Sequence, residues 1–311
     1  MSKIGANGIL DSIGNTPMFR LRRMVGTEQS EVWVKWEGAN PTGSMKDRMA
    51  LSMIRGAERR GQLGEGGKVV EYTGGSTGSS LALVCAARGY SSHFVCSDAF
   101  AAEKIATMRA LGGTCEVIPS DDRKITPELI RKLIDRAKEL SKEPGTFWTD
   151  QFNNPDNRSA YHKMAEEIIE QVGDFDAFVM SVGTGGCFSG NSEVFKERMK
   201  RVRCMAVEPA TSRNLSGGAL GAHHIEGIGS GFISKIMRMD LVDKVMSVSD
   251  EEASATAREL ATKEGVFGGT SSGANVFAAL QLAKELGPGH KVVTPIVDSG
   301  LRYLAGDLFR T

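Results

Sequence analysis

The stretch Asp176-Ala177-Phe178-Val179-Met180-Ser181-Val182-Gly183-Thr184-Gly185-Gly186 decides the fold. From Ala177 to Val182 it is nearly continuously apolar over the length of one strand, the pattern of a strand covered on both faces. Glycines follow at once, and 188–198 then reads as a helix. A buried strand, a glycine turn and a helix make the repeating half of a parallel β–α layer.

The same alternation extends to both sides. Strands are predicted over Glu31–Trp36, Lys68–Tyr72, 92–96, 115–118, 203–207 and, as a last central strand, 291–297. Helices are predicted over 46–61, 79–88, 101–111, 126–141, 160–172, 250–264 (opened by an Asp cap) and 272–286. The segment 151–157 and the Gly/Ser-rich span 212–231 read as loops. The alternation changes character near residue 150. The fold class expected is therefore α/β, with two open, mostly parallel twisted sheets whose ligands sit at strand carboxyl ends, and a cleft between the two domains.

Composition excludes other classes. A chain of 311 residues suggests about two domains. With 41% hydrophobic and 24% charged residues it can fill a core, so it is not a disordered chain. Lys+Arg and Asp+Glu are both 38, which leaves no overall basic field for nucleic acid or an anionic membrane. No apolar run approaches a spanning helix, and the start Met1-Ser2-Lys3-Ile4-Gly5-Ala6-Asn7 has no signal core, so a cytoplasmic protein is expected. Cys85, Cys96, Cys115, Cys187 and Cys204 form no C-x-x-C pair, and the five histidines form no H-x-x-x-H pair. Neither a disulfide framework nor a metal site is expected. Cys187, beside the glycine turn, reads as a small buried residue.

Four segments carry chemistry. In Asn40-Pro41-Thr42-Gly43-Ser44-Met45-Lys46-Asp47-Arg48, Pro41 and Gly43 set a tight turn and Ser44 can cap a helix starting near Lys46. A lysine in a first helical turn faces the positive end of the macrodipole, which favours the neutral amine needed in a Schiff-base nucleophile. The turn Gly183-Thr184-Gly185-Gly186 brings backbone N–H groups and a helix N-terminus towards an anion, with the Thr184 hydroxyl beside them. It has neither the P-loop spacing nor the full dinucleotide fingerprint. Thr73-Gly74-Gly75-Ser76-Thr77-Gly78 could bind a carboxylate, and Gly268-Gly269-Thr270-Ser271-Ser272-Gly273 opens another helix. Each turn alone could be only a helix cap. Together, a junction lysine, a phosphate-type turn, a carboxylate-type turn and a serine turn suit pyridoxal phosphate.

The chain resembles the cysteine synthase (O-acetylserine sulfhydrylase) and cystathionine β-synthase family of fold-type II pyridoxal phosphate enzymes, which are tryptophan synthase β-like. The likeness runs nearly end to end, from Ile13-Gly14-Asn15-Thr16-Pro17 and the Lys46 segment to Gln151-Phe152-Asn153-Asn154-Pro155 and the Gly183 turn. It continues through Val207-Glu208-Pro209, Leu215-Ser216-Gly217-Gly218, Glu226-Gly227-Ile228-Gly229, Ser271-Ser272-Gly273-Ala274 and Arg302-Tyr303-Leu304. By that resemblance Lys46 carries the cofactor and serves as acid and base at Cα. Gly183, Thr184, Gly185 and Gly186 hold the phosphate, and Ser271 meets the ring nitrogen. Thr73, Ser76, Thr77 and Gln151 bind the amino acid's carboxylate, and Gly227 lines the entrance. The resemblance implies a smaller mobile domain, 40–150, and a larger one formed by 1–39 and 151–311.

It also implies the reaction: β-replacement on O-acetyl-L-serine or another activated serine, with sulfide adding to an aminoacrylate to give L-cysteine. The alternative is a β-eliminating lyase of cysteine desulfhydrase or serine/threonine dehydratase type. A homodimer is expected, and in some relatives the tail of serine acetyltransferase enters the site. Since the chain ends at Thr311, no C-terminal regulatory module is expected, nor an N-terminal haem segment. One departure stands out. The family usually reads T-S-G-N-T-G where this chain has Thr73-Gly74-Gly75-Ser76-Thr77-Gly78. Ser76, counted here with cofactor and substrate binding, cannot offer an amide donor and an amide acceptor together. Gly74 lacks a hydroxyl beside the carboxylate, which leaves room for a different substrate.

Overall fold

The apolar run quoted first forms a strand, Ala177–Ser181, with every residue buried. The computed structural model describes residues 8–122 and 126–310. The start read above for a signal core, and Thr311, lie outside the described residues. In chain order the strands are β1 (Met18–Arg20), β2 (Glu31–Trp36), β3 (Lys68–Tyr72), β4 (Ser91–Ser97), β5 (Thr114–Ile118), β6 (Thr146–Trp148), β7 (Ala177–Ser181), β8 (Arg203–Pro209), β9 (Lys244–Val248) and β10 (Lys291–Ile296). The α-helices are α1 (Lys46–Arg59), α2 (Ser76–Arg88), α3 (Ala102–Ala110), α4 (Pro127–Leu140), α5 (Pro155–Ser159), α6 (His162–Val172), α7 (Gly186–Arg198), α8 (Asp250–Glu259) and α9 (Thr270–Leu286). Among the described residues no helix is long and apolar enough to cross a membrane.

The chain divides into two compact units. Of the described residues, the first comprises those within Met1–Gly14 and Asn40–Ala160, and the second those within Asn15–Ala39 and Tyr161–Thr311. In the first unit an all-parallel sheet runs β5-β4-β3-β6. Val70, Tyr72 and Val95 of this sheet pack with Leu129, Leu133, Ala137 and Leu140 of α4. Those four recur at helical spacing on one face, and the Thr126 side chain caps the helix by accepting the Leu129 N–H.

In the second unit the sheet order is β1-β2-β10-β7-β8-β9, parallel except for the antiparallel edge strand β1. From β7 the chain moves through α7 to β8 and on to β9, while the other neighbour of β7 is β10. The winding direction reverses there, and such a switch point opens a crevice at the strand carboxyl ends. Only Val292↔Ala177 and Val293↔Phe178 pair along that junction. Pro295 has no N–H to continue it. Instead, Thr294 Oγ1 donates to Val179 O at 2.8 Å. The buried Asn275 amide then bridges the separating strands, accepting the Ser181 N–H at 2.7 Å and donating to Pro295 O at 2.9 Å.

The expected sheets and most elements are present, with local corrections. The helix predicted over 250–264 is capped by Ser249, not Asp250: the Ser249 side chain accepts the Glu252 N–H and Glu252 returns the bond to the Ser249 N–H. It stays α-helical to Glu259 and then widens into a π turn, Leu260–Glu264. The segment read as a loop at 151–157 contains the start of α5, opened by Pro155 and capped by Asn154 Oδ1, which accepts the Asp156 N–H at 3.0 Å. All five cysteines are free. Burial pushes the thiols of Cys85 and Cys96 up to about 12, so they are inert near neutrality.

Candidate functional site

In the first unit the lysine segment folds as a closed turn. Gly43 N donates to Asn40 O at 2.7 Å, and Ser44 Oγ accepts the Lys46 N–H at 3.3 Å. Lys46 is the first residue of α1 and is half-buried. The turn is clamped from the next residue: the fully buried Asp47 takes the Thr42 N–H at 2.8 Å and the Thr42 O–H at 2.5 Å. Thr42 Oγ1 also lies 3.3 Å from Ser80 Oγ, and Ser80 Oγ donates to Ser76 O at 3.0 Å. Each of those hydroxyls has given its one proton elsewhere, so the lysine turn meets α2 there by contact rather than through a hydrogen bond.

The Thr73–Gly78 turn leaves β3 and enters α2. Thr73 Oγ1 accepts the Gly75 N–H at 2.9 Å and the Gly78 N–H at 3.0 Å. Both lone pairs are then engaged, so this hydroxyl is left to act as a donor, which suits a carboxylate. Gly75 has φ +128°, a conformation open in practice to glycine alone. Gly74 has ordinary room, since a Cβ there would lie 3.4 Å from Phe100 Cε1. Ser76 and Thr77 occupy the first turn of α2, which begins three residues before the predicted Ser79.

Gln151 is brought to this turn. Its Oε1 accepts the Thr77 O–H at 2.8 Å and its Nε2 donates to Tyr72 O at 2.9 Å. A carbonyl can only accept, so the Tyr72 bond fixes which end of the amide is nitrogen. One N–H of Gln151 remains for another acceptor. Behind Gln151 lies Glu71, a buried carboxylate that sequence reading passed over. Its signal was a charged residue inside the apolar strand Val69-Val70-Glu71-Tyr72.

In the second unit the Gly183–Gly186 turn joins β7 to α7 at the carboxyl edge of the switch point. Gly185, at φ +81°, is the N-cap of α7. A Cβ there would lie 2.8 Å from Met237 Cβ, while a Cβ at Gly183 would overlap the Gly227 carbonyl oxygen. Gly227 is thereby placed against the turn, and Ser230 Oγ donates to Gly183 O at 3.3 Å. Thr184 is buried; its Oγ1 accepts the Gly186 N–H at 3.3 Å, and its carbonyl takes the Ser234 O–H at 2.5 Å. Ser271 is buried in the first turn of α9. Glu226 N donates to Thr270 Oγ1 at 3.1 Å, so the segment carrying Gly227 also touches the start of α9. Cys187 is buried, with Asn191 Nδ2 3.6 Å from its sulfur.

The first turns of α2, α7 and α9 contain no acidic residue, whereas that of α8 contains Asp250, Glu251 and Glu252. α6 shares this lack, but α2 and α7 alone of these follow the two glycine turns read as anion sites, and an uncompensated positive helix end there suits a bound anion.

Comparison with known proteins agrees with this chemistry. The family described as "Pyridoxal-phosphate dependent enzyme" matches residues 9–298. A probable cysteine synthase of Bacillus subtilis is 42% identical over 315 residues, covering 99% of each chain. Among solved structures, the O-acetylserine dependent cystathionine β-synthase of Helicobacter pylori superposes with a TM-score of 0.92 at 36% identity, covering 99% of this chain and 100% of that one. A hydrogen sulfide-producing enzyme of Fusobacterium nucleatum superposes with a TM-score of 0.90 at 38% identity, covering 96% of this chain and 100% of that one.

Proposed function

Because this chain belongs to the pyridoxal-phosphate dependent enzymes, in the cysteine synthase group, we propose that it performs β-replacement on O-acetyl-L-serine or another activated serine, with sulfide giving L-cysteine. The residues fit the cofactor. The N-terminus of α7, free of acidic side chains in its first turn and opened by Gly185, suits the phosphate at Gly183, Thr184, Gly185 and Gly186. Lys46, at the mouth of a clamped turn, is an amine for the aldehyde.

Bound pyridoxal phosphate supplies an electron sink conjugated to the substrate's Cα. Lys46 Nζ would remove the Cα proton as acetate leaves from Cβ, and would return it once sulfide has added at Cβ. Thr73 donates its hydroxyl to the substrate carboxylate, and Gln151 adds its remaining N–H. Ser271 carries the choice of reaction. A hydroxyl beside the ring nitrogen does not force its protonation as a carboxylate would. Ser271 would therefore leave the sink weak, which would favour prompt loss of a β-substituent over racemisation or transamination.

Two observations favour a second reading, a β-eliminating lyase. Gly74 and Ser76 supply fewer polar groups at the carboxylate turn than the family's usual pattern, and one structural neighbour produces hydrogen sulfide. The homodimer and the serine acetyltransferase tail rest on the family resemblance alone. Product analysis tests the proposal. Purified enzyme given O-acetyl-L-serine and sulfide should release cysteine and acetate one for one. Pyruvate and ammonia as the main products despite sulfide would replace the proposal with the lyase.

A further inference from the structure

Glu71 is the penultimate residue of β3 and is only 1% exposed. It accepts four hydrogen bonds, all within the first unit. Oε1 takes the Tyr72 N–H at 2.9 Å and the Trp148 indole N–H at 3.4 Å. Oε2 takes the Thr149 O–H at 2.5 Å and the Gln151 N–H at 3.0 Å. The two donors on Oε2 flank Asp150, whose φ of +44° lies in the left-handed region. Aspartate enters that region more readily than most residues, and its neighbours hold it there. The Glu71 carboxylate holds the residue before it and the residue after it. Asn154 Nδ2 bonds Thr149 O at 2.9 Å, and Asn157 Nδ2 bonds Gln151 O at 2.7 Å, so both peptides are gripped through their carbonyls as well.

This grip sets the direction of one side chain. With its backbone held, Gln151 reaches back to Thr77 and to the Tyr72 carbonyl, at the turn that opens α2. A buried carboxylate is a costly way to fill space in a strand. It offers what an apolar residue cannot, acceptors for two backbone N–H groups and two side-chain donors at once.

We propose that Glu71 is the positioning residue that sets Gln151 for the α-carboxylate of the amino-acid substrate. The proposal rests on the reading of Gln151 as a carboxylate-binding residue. It predicts a carboxylate-specific loss when Glu71 is changed. In Glu71→Gln one end of the group becomes an NH2, so either the Tyr72 N–H or the Gln151 N–H faces a donor.

The test uses the holoenzyme and two ligands without a leaving group, L-alanine and L-alaninamide, titrated by the change in cofactor absorbance. Glu71→Gln should weaken L-alanine about tenfold, the worth of roughly one hydrogen bond, and leave L-alaninamide unchanged. Thr149→Val, which removes one donor and leaves the carboxylate, should weaken L-alanine by less and keeps the test available if Glu71→Gln does not fold. Equal effects on both ligands, or none on either, would overturn the proposal, as would a wild-type enzyme with no preference for L-alanine. Gln151→Ala separates the underlying reading. If it shows no carboxylate-specific loss, the assignment of Gln151 fails. If it shows one and Glu71→Gln does not, only the role of Glu71 fails.

Discussion

Gly185→Ala tests the phosphate cradle. Gly185 sits at φ +81°, where an L-residue costs roughly 1–2 kcal/mol. Its new Cβ would lie 2.8 Å from Met237 Cβ and 3.1 Å from Met237 Cα, well inside ordinary contact. Backbone must therefore move, not merely a side-chain tip. Residues 234–237 resist, because Ser234 Oγ is bonded to Thr184 O at 2.5 Å and Met237 N to Ser234 O at 3.2 Å. Overpacking of that kind costs a further ~1–3 kcal/mol, so about 2–5 kcal/mol of stability should be lost. The turn's N–H groups should also shift, removing one charge-assisted hydrogen bond worth about 1.5–3 kcal/mol to an anion, or roughly tenfold to a hundredfold in affinity. The assay is absorbance titration of apoenzyme with pyridoxal phosphate and, separately, with pyridoxal, alongside urea denaturation. The variant should lose affinity for the phosphorylated form and little for pyridoxal. Equal losses for both forms, or wild-type affinity with wild-type stability, would refute the cradle.

Three further outcomes follow from the same geometry. Asn275→Ala leaves the Ser181 N–H and the Pro295 carbonyl without their side-chain partner in the core, and urea denaturation should show a loss of about 3 kcal/mol. Gly74→Ser combined with Ser76→Asn restores the usual family residues at a turn where Gly74 has room, so O-acetyl-L-serine should bind several-fold tighter by about 1 kcal/mol with stability nearly unchanged, measured by titration and thermal unfolding. Burial, with Asp150 adding repulsion, pushes the Glu71 carboxyl up to about 7 from an unfolded value of 4.5. The folded protein then binds that proton more tightly, a contribution fully present below pH 4.5 and lost as pH rises through about 7. Wild-type stability relative to Glu71→Gln should therefore fall by at most about 3 kcal/mol across that window in denaturation series. A difference that is flat or rises with pH would contradict the shift.

How much was legible in the sequence depended on how local each signal was. Val69 and Val70 between glycine-rich flanks gave β3 to the residue, and the Lys46 turn closed as Pro41 and Gly43 suggested. Helix starts read late wherever glycine, serine or threonine opens the helix. The sequence pattern puts the starts of α2, α7 and α9 at Ser79, Phe188 and Ser272, while the helices begin at Ser76, Gly186 and Thr270. Glycine, serine and threonine in a first turn look like loop because the anion they would face is not in the sequence. Strands β1 and β6, at three residues each, carry too little pattern to register, and β9 alternates with charged and polar residues at the sheet edge. Glu71 and Asn275 stayed hidden because their partners lie far along the chain: Glu71 meets Thr149 and Gln151, and Asn275 meets Ser181. A side chain that works through tertiary hydrogen bonds leaves only an oddity of composition behind, here a carboxylate in an apolar strand.

The most direct test of the central claim is the visible spectrum of the purified holoenzyme as O-acetyl-L-serine is added without sulfide. The cofactor band should shift with release of one acetate per site, hold its new position, and return when sulfide is added as cysteine appears. A band that ignores O-acetyl-L-serine, or that returns unaided with pyruvate formed, would contradict β-replacement on this substrate.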